Sequence, residues 1–220
     1  MCDLDMNLLD PVTTLVAAFA GAWAAFLFES RKRKREEQGR HKSAANQALV
    51  TLVNMWNIMF EYYEKVVLPT KGRDDAWLNM AATPPAHYGL CEFDAKELVF
   101  LIDVGEPQLF MELTLEEQRF WGTMHLIQER NAVLLNSVHP AMSSAHLRVN
   151  TAMDERSLIS IIGIDAAQRL KHFTPAISEQ VRANCGSHIR TFQNLRETMK
   201  RLYPEMKFLS SEFKTLDGDA

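Results

Sequence analysis

The first hydrophobic pattern of the chain is an uninterrupted apolar stretch near its start. Residues 11–28 read PVTTLVAAFAGAWAAFLF and contain no charged side chain. A helix of this length measures about 27 Å, close to the hydrocarbon thickness of a bilayer. A cleaved signal peptide would carry positive charge before its apolar core, whereas here the positive charges follow it. A buried helix of a soluble protein is the other alternative. We predict a transmembrane helix over residues 11–28, the span, because a backbone in lipid must satisfy its own hydrogen bonds.

Charged side chains give the span a direction. Residues 1–29 contain four acids and no lysine or arginine. A basic run follows immediately: Arg31, Lys32, Arg33, Lys34 and Arg35. Positive charge accumulates on the cytoplasmic side of a membrane protein. We therefore expect a single-pass protein of the bacterial inner membrane, with residues 1–10 as an outer tail, the basic run as a membrane-surface anchor, and the rest in the cytoplasm.

A second apolar pattern follows the basic run, with steps of alternately three and four residues. Its positions are Ala45, Leu49, Leu52, Trp56, Met59, Tyr63 and Val66. A period of 3.5 is typical of coiled-coil seams and of antiparallel bundle packing. Val53, Phe60 and Val67 widen the stripe, which favours a bundle core. We predict a membrane-proximal helical stalk over 29–68, continuous with the span and ended by Pro69.

The remaining patterns predict further helices. Residues 69–93 contain many turn formers and indicate a loop, into which Trp77 and Met80 bring one short helical piece. Asp94 resembles an N-cap, and Pro107 suits the first position of the next helix. We predict a cytoplasmic bundle over 94–203, with a connector at 139–150, a helix at about 153–173, and a new helix capped by Thr174.

No convincing alternating strand pattern occurs, so the predicted fold is all-α: a transmembrane helix continuing through the stalk into an antiparallel cytoplasmic bundle. Residues 204–220 are expected to form a flexible tail.

Composition narrows the classes of function. Residues 30–220 carry equal numbers of basic and acidic side chains, which excludes general duplex nucleic-acid binding by excess positive charge. Cys2, Cys91 and Cys185 form no even set and no close pair, as expected in a reducing compartment. No histidine has metal-ligand spacing except His188, three residues after Cys185, and its place on the apolar face of the last predicted helix favours a core histidine. No nucleotide-binding or kinase motif occurs. We therefore expect no metal, no cofactor and no enzyme activity.

Small residues form one face of the span. Ala17, Gly21 and Ala25 are four apart, and Thr14 and Ala18 share much of that face. Such spacing lets membrane helices approach closely. The face therefore predicts homo-oligomers associated through the span and the stalk, with these residues at the helix contact or lining a narrow path. The abundance of alanine in this segment is the alternative explanation.

A basic stripe marks the last predicted helix. Arg182, Arg190, Arg196 and Lys200 lie about 120° around the helix from its apolar face. Four bases with few nearby acids could bind a phosphate-rich ligand. A solvated bundle face is the alternative. Lys171, in the helix before, reads instead as a base that complements a helix C-terminus.

One spacing in the chain is similar to that of an enzyme family. The all-α HEPN ribonucleases use an arginine followed by a histidine after four to six residues. Arg119 with His125, Arg182 with His188, and Arg35 with His41 have this spacing. The polar residue usual after the arginine is absent at all three. A membrane-tethered scaffold is the first alternative to a membrane effector, and a tethered ribonuclease is the second.

The order of these features resembles that of a bacterial family of single-span, all-helical membrane proteins of unassigned activity. The matching landmarks are ESRKRKREEQ at 29–38, LIQERN at 126–131 and LRETMKRLYPEMKF at 195–208. The architecture is also similar to that of membrane effectors of anti-phage systems, such as the channel subunit of Hailong. The resemblance implies an oligomeric effector or ion channel gated by a cytoplasmic ligand or partner. It also implies that the ligand is an oligonucleotide signal made by a partner nucleotidyltransferase.

Overall fold

The computed structural model describes residues 9–82, 91–146, 154–214 and 216, with side chains from residue 13 onward. One helix, α1, runs from Leu9 to Tyr62 and contains both the predicted span and most of the predicted stalk. The chain divides into two compact units, Met1–Ser43 and Ala44–Ala220. The first unit contributes only the exposed, N-terminal part of α1 among the described residues.

The second unit is helical throughout its regular structure, and no strand occurs in the part of the chain that the structure describes. After α1 come α2 (Ala76–Asn79), α3 (Ala95–Leu98), α4 (Phe100–Asp103), α5 (Pro107–Val133), α6 (His139–Ser144), α7 (Glu155–Ile162) and α8 (Ile164–Leu202). A π-helical turn, Tyr63–Val67, and a 3₁₀ turn, Leu68–Thr70, extend α1, and a second π-helical turn, Leu134–Val138, extends α5. The predicted all-α class is confirmed.

The predicted seam of the stalk lies in the core. All seven positions from Ala45 to Val66 are buried, and Ala45, Leu49, Leu52 and Met59 are completely so. The N-terminal part of the seam, up to Leu52, packs with α3, α4, α5 and the end of α8. The C-terminal part, from Trp56 onward, packs with the middle of α5 and of α8. The 3.5-residue period therefore marks a bundle contact, since these side chains meet other helices of the same chain.

Helices α5 and α8 form the main antiparallel pair. Polar contacts join Glu112 to Asn194, Glu116 to Ser187 and Arg130 to Thr174, so positions rise along α5 as they fall along α8. Pro107 begins α5 as predicted. Asp94 caps α3, accepting hydrogen bonds from the backbone N–H groups of Lys96 and Glu97.

The predicted boundary at Thr174-Pro175 is wrong, because α8 continues through Pro175 to Leu202. The break lies instead at Gly163, whose φ of +88° separates α7 from α8. A side chain rarely adopts this backbone conformation, so glycine provides the corner. Proline within a helix costs one backbone hydrogen bond, and burial of Thr174 and Ile177 on either side holds the helix together. The predicted connector also contains a helix, α6.

The segment expected to be a flexible tail contains packed side chains. Phe208 and Leu216 are buried. The Phe213 ring lies edge-on to Trp56 of α1, at 5.1 Å, and to Phe192 of α8, at 5.0 Å. This segment, residues 204–216, is called the C-terminal strap below. It has no helix or strand among its described residues, and aromatic packing holds it to the bundle.

One stretch of α1 near the N-terminus is long enough and apolar enough to cross a membrane, judged by length and composition. None of it is buried within the protein. Phe19, Trp23 and Phe28 are more than half exposed. Large exposed aromatic residues on a continuous helix are typical of a surface that another apolar phase covers.

Candidate functional site

A cavity of about 1080 Å³ lies beside α8 in the second unit. One wall is the segment that directly follows α1, from the π-helical turn to the start of α2. The other wall is α8 between Lys171 and Arg190. Cavities that hold small molecules typically measure about 300–1,000 Å³, so this one is slightly larger than that range. It has room for a ligand much larger than a single inorganic ion.

The first wall has its shape because three local features end the helical path of α1. Pro69 within the 3₁₀ turn has no N–H, which prevents a further α-helical turn. The Thr70 hydroxyl lies 3.0 Å from the carbonyl oxygen of Val67 and donates a hydrogen bond to it. Gly72 then takes a φ of +76°, which turns the chain along the cavity. Lys71, Arg73 and Asp74 line the cavity in consequence.

The second wall depends on a glycine. A Cβ atom at Gly186 would lie 3.4 Å from Nη1 of Arg190, so the guanidinium of Arg190 folds back over the glycine. Helical residues four apart are neighbours on the same face, which makes this approach direct. Gly186 and Arg190 both line the cavity. The glycine thus leaves space for the Arg190 guanidinium beside the helix.

The charged lining of the cavity is mainly basic. Five bases line it: Lys71, Arg73, Lys171, Arg182 and Arg190. Three acids line it: Asp74, Glu155 and Glu179. The excess of positive charge favours an anion, because clefts concentrate the field of their charged walls.

Two of these bases are neutralised by neighbouring carboxylates. Arg73 donates to Asp75 from Nε at 2.8 Å and from Nη2 at 2.9 Å. These hydrogen bonds hold the pKa of the Asp75 carboxyl below its usual value. Lys171 forms an ion pair with Glu155, and its Nζ lies 5.3 Å from the centre of the Trp77 ring. Both bases therefore stabilise the walls as well as line the cavity.

Lys71 and Arg190 differ from Arg73 and Lys171 in having no carboxylate neighbour in the part of the chain that the structure describes. Among the described residues, no carboxylate oxygen lies within 4.0 Å of either side chain. They come from opposite walls of the same cavity. A guanidinium and an ammonium without carboxylate partners are the groups that bind phosphate most readily. The arrangement is suited to reversible binding of a phosphate-bearing ligand.

The structure divides the predicted basic stripe. Arg182 and Arg190 line the cavity, whereas Arg196 and Lys200 do not. Arg196 is half-buried and Lys200 is exposed further along α8. The sequence pattern did not indicate Lys71 and Arg73, which come from the segment after α1, or Lys171, which lies on α8 itself. The Lys71-Gly72-Arg73 sequence in a long loop was a usable signal, but Lys171 was assigned to a helix end that does not exist.

A polar seam lies between α5 and α8, and it consists of Glu116, Thr123, Asn184, Ser187 and His188, all buried. Glu116 accepts a hydrogen bond from Ser187 and another from Arg119, both at 2.7 Å. Asn184 donates to Thr123 at 2.9 Å. None of the five seam residues lines the cavity. Hydrogen bonds satisfy Glu116, Thr123, Asn184 and Ser187, which stabilises one register of packing. Neither ring nitrogen of His188 makes a hydrogen bond within the described residues.

His188 has an environment that suppresses proton transfer. Its side chain is completely buried, and Nε2 lies 3.5 Å from Oε2 of Glu116. Burial, reinforced by the positive charge of Arg119, lowers the pKa of His188 to about 4. The ring is therefore neutral at physiological pH. Proton exchange with a substrate requires contact that this ring does not have.

The arginine and histidine pairs of the ribonuclease hypothesis lie on continuous helices. Arg182 is exposed on α8 while His188 faces the core, and Arg119 and His125 are both exposed on α5. Six residues correspond to a rotation of about 240° around a helix, so each pair diverges. The described residues also contain no cluster of three or more potential metal ligands.

The predicted span and anchor residues are all exposed on α1. The residues of the small-residue face are exposed: Thr14, Ala17, Ala18, Gly21 and Ala25. A Cβ atom at Gly21 would meet nothing within 4 Å. The basic run is exposed too, with Lys32 3.9 Å from Glu36 and Arg33 3.2 Å from Glu29. Both surfaces are open to lipid or to another chain.

No protein-family model, no curated protein and no solved structure matches this chain.

Proposed function

We propose that this protein is a single-span membrane effector that responds to a phosphate-bearing ligand bound in the cavity of its helical bundle. The single observation that carries the proposal is the pair of cations, Lys71 and Arg190, on opposite walls of the same large cavity. One of these walls directly follows α1, the helix that contains the predicted span. A ligand that draws the walls together would therefore act on the end of that helix.

Charge asymmetry supports the proposed location. Acids precede the span and five bases follow it, so the proposed site is the bacterial inner membrane with the N-terminus outside and the bundle in the cytoplasm. A cytoplasmic ligand would then reach the cavity directly. The two buried cysteines, Cys91 and Cys185, are free thiols, which suits the same compartment.

The effector activity that we propose is oligomeric. Chains associate through the small-residue face of the span and enclose an ion path, which the ligand opens or closes by binding one state more tightly than the other. An oligonucleotide made by a partner nucleotidyltransferase in anti-phage defence suits this proposal in charge and in size. The exposure of Thr14, Ala18 and Gly21 in the single chain supports an interface there.

Ligand binding is tested with inorganic tripolyphosphate and a short single-stranded oligonucleotide as probes. Calorimetry on the detergent-solubilised full chain should show saturable binding that weakens as salt increases. Arg190→Gln and Lys71→Gln should each weaken it about 10-fold or more, since a charge-assisted hydrogen bond contributes about 1.5–3 kcal/mol.

Lys200→Gln is the matched control for ligand binding. It removes one base from the same helix, outside the cavity, and should change affinity less than about 2-fold. Equal losses from the Lys200 and Arg190 variants would mean that only general charge attracts the probes. Absence of saturable binding to wild type would reject the ligand proposal.

Oligomeric conduction is tested at Gly21. A leucine at this position would separate the helices, so Gly21→Leu should abolish ion leakage from liposomes and growth toxicity while the protein still inserts. Phe19→Leu is the control, because two residues correspond to about 200° around the helix and place position 19 on the opposite face. Unchanged leakage and toxicity in Gly21→Leu would reject the pore.

A tethered scaffold is the second candidate function. Apolar side chains that remain exposed on the bundle favour it, notably Ile102, Met111, Leu135 and Ile164. A scaffold would bind a cytoplasmic protein through such residues and conduct no ions. A monomeric or dimeric protein in detergent, without conductance in liposomes, is the result that would support this candidate over the effector.

A further inference from the structure

Arg130 is a completely buried arginine in α5 that bonds to two residues of the cavity lining, Trp77 and Thr174. Its Nη2 donates to the carbonyl oxygen of Met80 at 2.7 Å and to that of Trp77 at 3.3 Å. Its Nε donates to the hydroxyl oxygen of Thr174 at 3.0 Å. The three acceptors lie about 50 residues from Arg130 in sequence, on α2, at its end, and on α8.

An ion pair does not account for the burial of a cation at Arg130. No carboxylate lies within 4.0 Å of it among the described residues, and its acceptors are neutral oxygens. Burial lowers its pKa to about 10, so the side chain is still a cation at neutral pH. An apolar side chain would fill the same space without the desolvation that a buried cation requires. The feature that an apolar residue could not reproduce is the set of three hydrogen bonds.

Those hydrogen bonds connect the two walls of the cavity. Trp77 lies at the end of the first wall, and Thr174 lies in the second. Met80 follows α2, where its own N–H bonds to Ala76 at 3.0 Å and closes the short helix. A four-residue helix has little stability of its own. Its position therefore depends on the tertiary contacts that it makes, of which the Arg130 guanidinium supplies two.

We propose that Arg130 is a positioning residue that fixes the two walls of the cavity relative to each other. The planar guanidinium holds α2 through two carbonyl groups and α8 through Thr174 at a set separation. It thereby keeps Lys71 and Arg190 facing the same volume. The role of this separation in ligand binding rests on the proposed function, whereas the fixing of the walls does not.

Hydrogen exchange of the detergent-solubilised full chain tests the fixing of the walls. Arg130→Lys keeps the charge and loses the planar fork, so the amides of residues 76–80 should exchange about 10-fold faster or more. Leu101→Ala is the control, since Leu101 is fully buried in another core cluster. At matched loss of thermal stability it should leave the exchange of these amides unchanged. Unaltered exchange in Arg130→Lys, or an equal increase in Leu101→Ala, would overturn the proposal.

A milder pair of variants covers the case in which Arg130→Lys does not fold. Thr174→Val keeps the shape of the side chain and removes the acceptor of the Nε hydrogen bond, whereas Thr174→Ser keeps the acceptor. Residues 76–80 should exchange at least 3-fold faster in the valine variant than in the serine variant. Equal exchange in the two variants would contradict a role for this hydrogen bond in holding the walls.

Tripolyphosphate affinity then separates the two proposals. Arg130→Lys should weaken tripolyphosphate binding at least 10-fold, while Leu101→Ala should not. Faster exchange with unchanged affinity would show that the wall separation does not position the binding groups, and would overturn that part of the inference. If wild type does not bind tripolyphosphate, the proposed function fails, and the exchange measurements still decide whether Arg130 fixes the walls.

Discussion

At the scale of single residues, the buried polar side chains of α5 and α8 determine how the two helices pair. Glu116 is almost completely buried and accepts hydrogen bonds from Ser187 and Arg119. A buried carboxylate without such donors would be strongly destabilising. The pairing of donors with acceptors therefore specifies one register of α5 against α8, more strictly than apolar contacts alone would.

His188 provides a pH prediction at this scale. The unfolded chain binds a proton with a pKa near 6.5, whereas the folded chain binds it only near 4. Between these values the unfolded state holds more protons, so stability falls as the pH falls from about 6.5 towards 4. The full effect is about 3 kcal/mol. Guanidinium unfolding of the full chain at a series of pH values measures it.

The pH dependence should be specific to this ring. His188→Phe preserves a ring beside Phe120, whose centre lies 6.4 Å away, and should remove most of the loss of stability between pH 6.5 and 4. His125→Gln alters an exposed histidine of α5 and should leave the pH profile unchanged. A profile that is identical in wild type and His188→Phe would show that other groups cause the acid sensitivity.

At the scale of elements, a glycine can raise or lower the stability of the fold, depending on its backbone conformation. Gly163 joins α7 to α8 with φ +88° and ψ 148°, a region that is almost restricted to glycine. Gly122 lies inside α5, where a Cβ atom would meet nothing within 4 Å. In the helix interior, glycine has only the disadvantage of a more flexible unfolded chain.

We expect Gly163→Ala to reduce the free energy of unfolding by about 1–3 kcal/mol. Gly122→Ala should raise it by about 0.5–1 kcal/mol. Denaturation midpoints of the two variants measure both changes under the same conditions. A neutral or stabilising Gly163→Ala would show that the corner between α7 and α8 does not require a positive φ.

The C-terminal strap is an element with no secondary structure that nevertheless joins two core clusters. Phe213 contributes to both of them through Trp56 and Phe192. Its neighbour Lys214 lies over the Phe60 ring at 5.8 Å, and the backbone N–H of Leu209 donates to Asn46. By contacting both helices, the strap stabilises the pairing of α1 with α8.

Phe213→Ala should destabilise the bundle by about 2 kcal/mol, less than a completely buried phenylalanine because the ring is partly exposed. Leu209→Ala, in the same strap and 38% exposed, should change stability by less than 1 kcal/mol. Limited proteolysis should also cut the strap sooner in Phe213→Ala. If both alanine variants are as stable and as protease-resistant as wild type, the strap does not contribute to the fold.

At the scale of the whole molecule, the two units have different relations to solvent. The described residues of the first unit are almost all exposed and contain the long apolar stretch, whereas the second unit has three clusters of buried side chains. A single exposed helix of this composition is stable in lipid, because the helix satisfies its own backbone hydrogen bonds and lipid covers its apolar side chains. The second unit is large enough to bury a core of its own.

We expect the full chain to sediment with membranes and to resist extraction by alkaline carbonate. Protease added outside intact cells should leave the bundle uncut, and protease added after the inner membrane is opened should cut it. Gln substitution of all five bases from Arg31 to Arg35 should yield a mixture of orientations. A soluble monomer, or a bundle digested in intact cells, would contradict the membrane model.

The fold class and the core faces could be predicted from the sequence because they depend on local periodicity. The seam from Ala45 to Val66 and the face of α8 from Ile177 to Met199 are buried as their spacing indicates. Continuity of α8 through Pro175 could not be predicted, because tertiary packing outweighs the missing hydrogen bond. The packed strap was missed for a similar reason, since its aromatic residues have no regular period.

By itself, the sequence determined the apolar stretch near the N-terminus, the charge asymmetry around it, the helical class and two of the bases of the candidate site. These properties follow from length, composition and spacing along one segment. Only the tertiary structure decided that Lys71 and Arg190 line one cavity and that Arg130 bonds to both of its walls. Each of these depends on contacts between distant segments, which the folding of the bundle creates and no local pattern records.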